Sequence, residues 1–181
     1  MSIDYGPLSG FIGTWTGDQG MDLSPEPGGD EQAAYYERLE FEPAGDVDNA
    51  DSQDLVMLRY NQVVMRKRND KVFHNEAGFL IWCEEESLVM QSFAIPRGFA
   101  LVAGGTAELS GDSVTINLRA AAGDELWPIS QSPFLLNNAR TSGFSRTYVL
   151  RAGTLTYQQS TELEIYGRKM AHTDTNSLTQ A

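Results

Sequence analysis

The sequence predicts an all-β protein, with about ten antiparallel strands in an up-and-down barrel around an internal ligand cavity. Stretches rich in β-branched and aromatic residues alternate with a period of two, whereas apolar residues at helical spacing are scarce. Clusters of Gly, Asn, Asp and Pro separate those stretches, as tight turns between antiparallel strands require. The length agrees, because 181 residues suit a single barrel domain spanning 1–181.

The first strand is placed at Gly13–Gly17 in "FIGTWTGDQG", where glycines beside Trp15 let the backbone bend at a sheet edge. Further strands are predicted at Ala34–Phe41, Leu55–Lys67, Lys71–Cys83, Ser87–Ile95, Phe99–Gly104, Ser113–Arg119, Gly143–Leu150, Thr154–Tyr166 and Arg168–Thr175. The turns "RNDK", "EEES", "LSGDSV" and "RAGT" make consecutive hairpins of them. A meander of about ten strands closes because closure removes exposed edges, and side chains alone do not fill a barrel of that size. "LSPEPGGDEQ" and "AAGDELWPISQSPFLLNNARTS" break the rhythm and are read as loops, with a short helical turn at most. Within the second, "PFLLNNA" is either apolar cover for a barrel mouth or a loop packed on the wall.

Composition narrows the functions. Hydrophobic residues make up 41% and charged residues 21%, an ordinary globular balance. No stretch approaches the roughly 18 unbroken apolar residues of a membrane-spanning helix. With 13 Lys+Arg against 25 Asp+Glu the net charge is -12, which repels nucleic acid and anionic membranes. The basic run "RKRNDK" reads as a solvated hairpin turn. One cysteine, Cys83, permits no intrachain disulfide, and "MSIDYGPLSG" lacks the pattern of a secretion signal; the expected location is cytoplasmic.

Two histidines are candidates for chemistry. Strand alternation puts His74 on one face with Val72, Glu76, Gly78, Leu80 and Trp82, and Phe73 on the other. That face meets either water, with His74 hydrogen-bonded to a neighbour such as Glu76, or the cavity. In "RKMAHTDTNSL" Met170, His172 and Asp174 share a face, and an inward imidazole in an apolar cavity is what haem iron takes as an axial ligand. The two histidines lack carboxylates or thiols at zinc spacing, and no nucleophile elbow, phosphate loop or dinucleotide fingerprint occurs. Arg146 and Tyr148, two apart on one strand, form a candidate clamp for a carboxylate, such as a fatty acid head group; the alternative is a surface Arg with a half-packed Tyr.

Taken in order, "GTWTG", "YYERLEFEPAG", "LRYNQVV", "FHNEAGFLIW", "FAIPRGFALVAGG" and "RTYVLRAGTLTY" resemble the nitrobindin-like haem-binding β-barrel family, a fatty-acid-binding-protein-like barrel of the calycin or lipocalin type. The resemblance covers most of the chain. It implies a ten-stranded barrel holding haem b near one mouth, its ferric iron bound by a histidine of the closing strand. It also implies nitric oxide binding and, in the manner of a peroxynitrite isomerase, conversion of peroxynitrite to nitrate. By resemblance His172 is the axial metal ligand, counted from "LTY", and His74 lines the pocket with Met170, Arg146 and Tyr148 as candidate contacts. A count from "KMA" falls instead on Gln180 or Ala181, where there is no imidazole. The chain departs from the family's Gly-x-Trp-x-Gly-x-Gly opening, because Asp18 and Gln19 precede Gly20 where one residue is expected. The resemblance makes Trp15 a plug of the closed barrel end.

Three functions follow as expectations: a haem-binding barrel acting on peroxynitrite or nitric oxide, a haem-free carrier of a fatty acid or other small hydrophobic ligand, and a barrel filled by Trp82, Phe93 and Trp127 that serves as an interaction module.

Overall fold

The computed structural model describes residues 3–50 and 53–181. Its strands are β1 (Gly13–Glu26), β2 (Gly29–Ala50), β3 (Gln53–Arg66), β4 (Val72–Cys83), β5 (Leu88–Ile95), β6 (Phe99–Ser110), β7 (Ser113–Ala121), β8 (Ile129–Gln131), β9 (Ala139–Arg151), β10 (Thr154–Ile165) and β11 (Arg168–Gln180). Ten of them close an antiparallel barrel. Each pairs with the next through β7, then β7 with β9, β9 with β10, β10 with β11, and β11 back onto β1. The short β8 lies outside the ring, paired with Phe99–Leu101 of β6. Among the described residues no helix is long and apolar enough to cross a membrane.

The ten predicted strands are all present, most of them longer than alternation alone suggested. The stretch "LSPEPGGDEQ" is no loop. There β1 and β2 continue as a hairpin down to the pair Glu26 and Gly29. Pro25 is tolerated because pairing with β11 has ended at Leu23, so the N–H that proline lacks faces no partner strand. The second predicted loop holds β8 and a six-residue helix, α1 (Pro133–Asn138), whose Ser132 hydroxyl caps the Leu135 N–H. Three residues are too few to show a period, so β8 is specified by the edge it docks against. "PFLLNNA" stands at the barrel end bearing the turns after β1, β3, β5 and β10, and only its Leu135 is buried.

The opposite end is closed. A 3-10 helix at Gly6–Phe11 lays Leu8 and Phe11 across it, and Trp15 packs beneath with 1% exposure. The Trp15 indole N–H donates to the Phe11 carbonyl at 2.7 Å, which satisfies the one polar atom the ring carries into the core. Leu39, Phe41, Leu58, Leu80, Leu155 and Leu178 complete this dry half.

The extra residue of the opening motif is absorbed as a bulge. Gly17 faces Glu37 while Gly20 faces Tyr35, so β1 spends one more residue than β2 over that interval. A bulge reverses the inward face. Beyond it Gly20 and Asp22 point inward, and Met21 is 44% exposed. Gly20 must stay small, because a Cβ there would run into the Tyr35 ring.

Substituting Trp15→Ala is expected to cost about 3–5 kcal/mol through lost burial and the cavity left at the closed end, read as a lower urea midpoint at unchanged slope.

Candidate functional site

Above the dry core the interior turns polar. Glu76 on β4 and Arg146 on β9 form a buried ion pair, Nη1 to Oε1 at 2.7 Å and Nη2 to Oε2 at 3.1 Å. Their remaining valences are met: Tyr60 donates to Glu76 at 2.5 Å, and Arg146 donates to Tyr148 and to Gln159 Oε1. The guanidinium also lies 5.3 Å from the ring centroids of Phe93 and Phe144. A second cluster sits beside it, where Glu37 accepts from Gln62, Asn176 and Tyr157. Burial pushes the Glu37 carboxyl above its ordinary value despite those three donors. Burial alone would raise Glu76 likewise, but the Arg146 charge and the hydrogen bonds of His74 and Arg146 outweigh it and hold the carboxyl at about 2. These side chains fill the middle of the barrel, where the strand count predicted an internal cavity.

The mouth holds both histidines. On β11, Met170, His172, Asp174 and Asn176 alternate inward, and His172 keeps 29% of its side chain exposed. Its Nε2 stands 2.6 Å from Asp22 Oδ1 and 3.7 Å from Asp174 Oδ2. Asp22 and Asp174 are direct cross-strand partners, which is why the bulge matters: it turns Asp22, and not Met21, toward the imidazole, as a second carboxylate beside Asp174. Burial would lower the His172 pKa, but the two carboxylates raise it above the ordinary imidazole value. Asp174 is pushed up to about 7 by burial and by Asp22, whereas hydrogen bonding to His172 keeps Asp22 low against its burial. The three side chains bring one donor atom each within 4.8 Å of one another, a nitrogen and two oxygens able to ligate a metal ion.

His74 also faces inward. Its Nε2 lies 3.3 Å from Glu76 Oε2, so the imidazole is both the partner of Glu76 and part of the mouth. One hydrogen-bonded chain joins the two histidines: His74 to Glu76, Glu76 to Arg146, Arg146 to Gln159, and Gln159 to Asp174 beside His172.

Arg146 and Tyr148 do share a face, as alternation predicted, and it points inward rather than to the surface; Arg146 is 2% exposed and its donors go to Glu76, Gln159 and Tyr148. Phe73 departs from the alternation. A bulge between the pairs Val64–His74 and Met65–Val72 brings Phe73 against Tyr35, ring centroids 6.2 Å apart, and leaves Val72 55% exposed. Of Trp82, Phe93 and Trp127, Trp82 meets Gly6 at the closed end and Trp127 covers Gly104, so Phe93 alone lines the Arg146 region. The sequence reading missed Asp22 and Arg66. Arg66 ends β3 at the mouth, with its guanidinium 4.7 Å from the Phe73 ring centroid and its buried Nε without a hydrogen-bond partner. The extra residue after Gly17 was the available signal for Asp22. Two grooves, of about 490 and 310 Å³, lie on the outer wall away from both histidines.

Comparison with known proteins agrees with this architecture. Residues 4–180 match the family described as "THAP4-like, heme-binding beta-barrel domain". The crystal structure of Rv2717c from M. tuberculosis superposes with a TM-score of 0.71 at 21% identity, over 98% of this chain and 99% of that one. No curated protein matches the sequence.

Because Glu76 is held near 2 against an ordinary 4.5, its contribution to stability is fully present above about pH 4.5 and fades as pH falls toward 2. Thermal melts across that window are expected to show the fall in the wild type and a flatter, lower profile in Glu76→Gln, which leaves Arg146 uncompensated at a cost of about 3–5 kcal/mol.

Proposed function

The chain belongs to the THAP4-like haem-binding β-barrel family, and on that premise we propose that it binds haem b at its open mouth, with His172 as the axial ligand, and acts on nitric oxide or peroxynitrite. The observation that carries this reading is His172 itself. It is an inward-facing imidazole on the closing strand, half-buried where the barrel opens.

The residues at the mouth fit the group. Haem asks for an axial nitrogen, an apolar wall and donors for its two carboxylates. His172 supplies the first. Met170, Phe73, Phe93 and Phe144 face the same interior. Arg66, with a buried donor unpartnered at the rim, suits a carboxylate. The porphyrin iron, when bound, supplies the redox and Lewis-acid chemistry.

The protein's own contribution is positioning. Asp22 and Asp174 fix the His172 ring through Nε2, and Glu76 fixes the His74 ring at the far end of the hydrogen-bonded chain. His74 presents a polar group to the same mouth, where it orients a small anion or diatomic ligand. The dry core and the ion-paired belt below admit neither water nor ligand, so the ligand stays in the mouth. Asp22 competes with a metal for the Nε2 it now holds.

Haemin-reconstituted protein is expected to show a Soret band that is lost in His172→Ala and retained in His74→Ala; an unchanged spectrum in His172→Ala would refute the assignment. Stopped-flow decay of peroxynitrite with nitrate analysis tests the activity. In haemin titrations Asp22→Ala is expected to bind about tenfold more tightly than wild type, which corresponds to about 1.4 kcal/mol.

A further inference from the structure

We infer that Tyr157 and Tyr35 form a buried redox-active pair, oxidised by one electron from the barrel mouth while a phenolic proton passes to Glu37. The inference rests on the haem reading only for the natural oxidant.

The geometry is that of a proton wire. The Tyr157 hydroxyl donates to Glu37 Oε1 at 2.8 Å and lies 2.7 Å from the Tyr35 hydroxyl. Tyr35 is 0%, Glu37 2% and Tyr157 5% exposed. Oxidising a phenol makes its proton strongly acidic, so a buried phenol yields its electron readily only when a base stands on its hydroxyl. Burial also pushes both phenols well above their ordinary pKa, so no tyrosinate is present to react instead.

The barrel contains a second buried Tyr–Glu pair that serves as an internal comparison. Tyr60 donates to Glu76 at 2.5 Å, but Glu76 is held by two nitrogens of Arg146 and its carboxyl sits at about 2, so it is a poor proton acceptor. Glu37 receives hydrogen bonds from the neutral groups Gln62, Asn176 and Tyr157, and its carboxyl is raised. Of the two carboxylates, Glu37 is the one able to take the proton.

Position supplies the route. Tyr35 lies against Gly20 and Phe73, one inward step along β1 from the Asp22 that holds His172. From Tyr35 the hydroxyl contact leads to Tyr157, whose ring centroid is 6.2 Å from that of Tyr148.

The step balances as follows. The Tyr157 O–H bond breaks, an O–H bond forms on Glu37, and one electron leaves for a one-electron oxidant, giving a neutral tyrosyl radical and a protonated Glu37. If the radical rests on Tyr35, its proton moves to Tyr157 as the Tyr157 proton moves to Glu37. The oxidant is a haem treated with a hydroperoxide, or in its absence a ruthenium(III) polypyridyl ion, which becomes ruthenium(II).

The test uses haem-free protein and photogenerated tris(bipyridyl)ruthenium(III), with the radical followed by transient absorption and by electron paramagnetic resonance. Wild type is expected to give a neutral tyrosyl radical whose formation slows in heavy water. Tyr157→Phe keeps the packed ring and is expected to lose the signal. Glu37→Gln keeps the hydrogen bond but not the base, and is expected to slow formation by roughly a hundredfold. Tyr60→Phe is expected to leave the signal intact. A signal that survives both Tyr157→Phe and Glu37→Gln, disappears in Tyr60→Phe, or belongs to tryptophan overturns the proposal, as does a wild type that forms no tyrosyl radical. A radical seen with ruthenium(III) but absent from haemin-loaded protein given hydrogen peroxide supports the pair and counts against haem at the mouth.

Discussion

The interior of this barrel is organised by one buried ion pair, Glu76 with Arg146. Removing two charges from water costs several kcal/mol per ion, and the cost is met only when every lone pair and N–H finds a partner. Here Tyr60, Tyr148, Gln159 and His74 provide those partners, and Phe93 and Phe144 face the guanidinium. Such a pair specifies arrangement more than it adds stability. It draws side chains from β3, β4, β9 and β10 to one level and divides the barrel into an apolar closed half and a polar open one.

That division joins the two histidines into one hydrogen-bonded set. Each is tied to the belt from above, His74 through Glu76 and His172 through Asp174 and Gln159. The side chains of the mouth are thereby held in fixed rotamers, the kind of preorganisation that favours binding in general. The family match over residues 4–180 places the chain in a haem-binding barrel family, and Rv2717c shares its fold.

Two departures from regular pairing, on β1 and β4, shape the mouth around the histidines. The extra residue between Gly17 and Gly20 sends Asp22 inward, and the one at Phe73 brings an aromatic ring against Tyr35 and Arg66. Both lie where barrels commonly carry bulges, at the rim and beside the site, and each reverses the facing of the residues beyond it without disturbing the strands below.

The sequence by itself determined the ten barrel strands and their meander order. It also put Glu76 on one strand face with His74, Arg146 on one face with Tyr148, and His172 on one face with Met170 and Asp174, leaving open which of those faces turn inward. Those follow from the period of two and from turn chemistry, which are local. Tertiary structure decided what alternation cannot reach: the partner of each inward group. Asp22 and His172 are 150 residues apart, as Glu76 and Arg146 are 70 apart, and they meet because the barrel closes β11 onto β1 and faces β4 toward β9. The eleventh strand and the polar filling of the barrel's middle have the same origin, since a three-residue strand and a network spanning six strands exist only once the ring has formed.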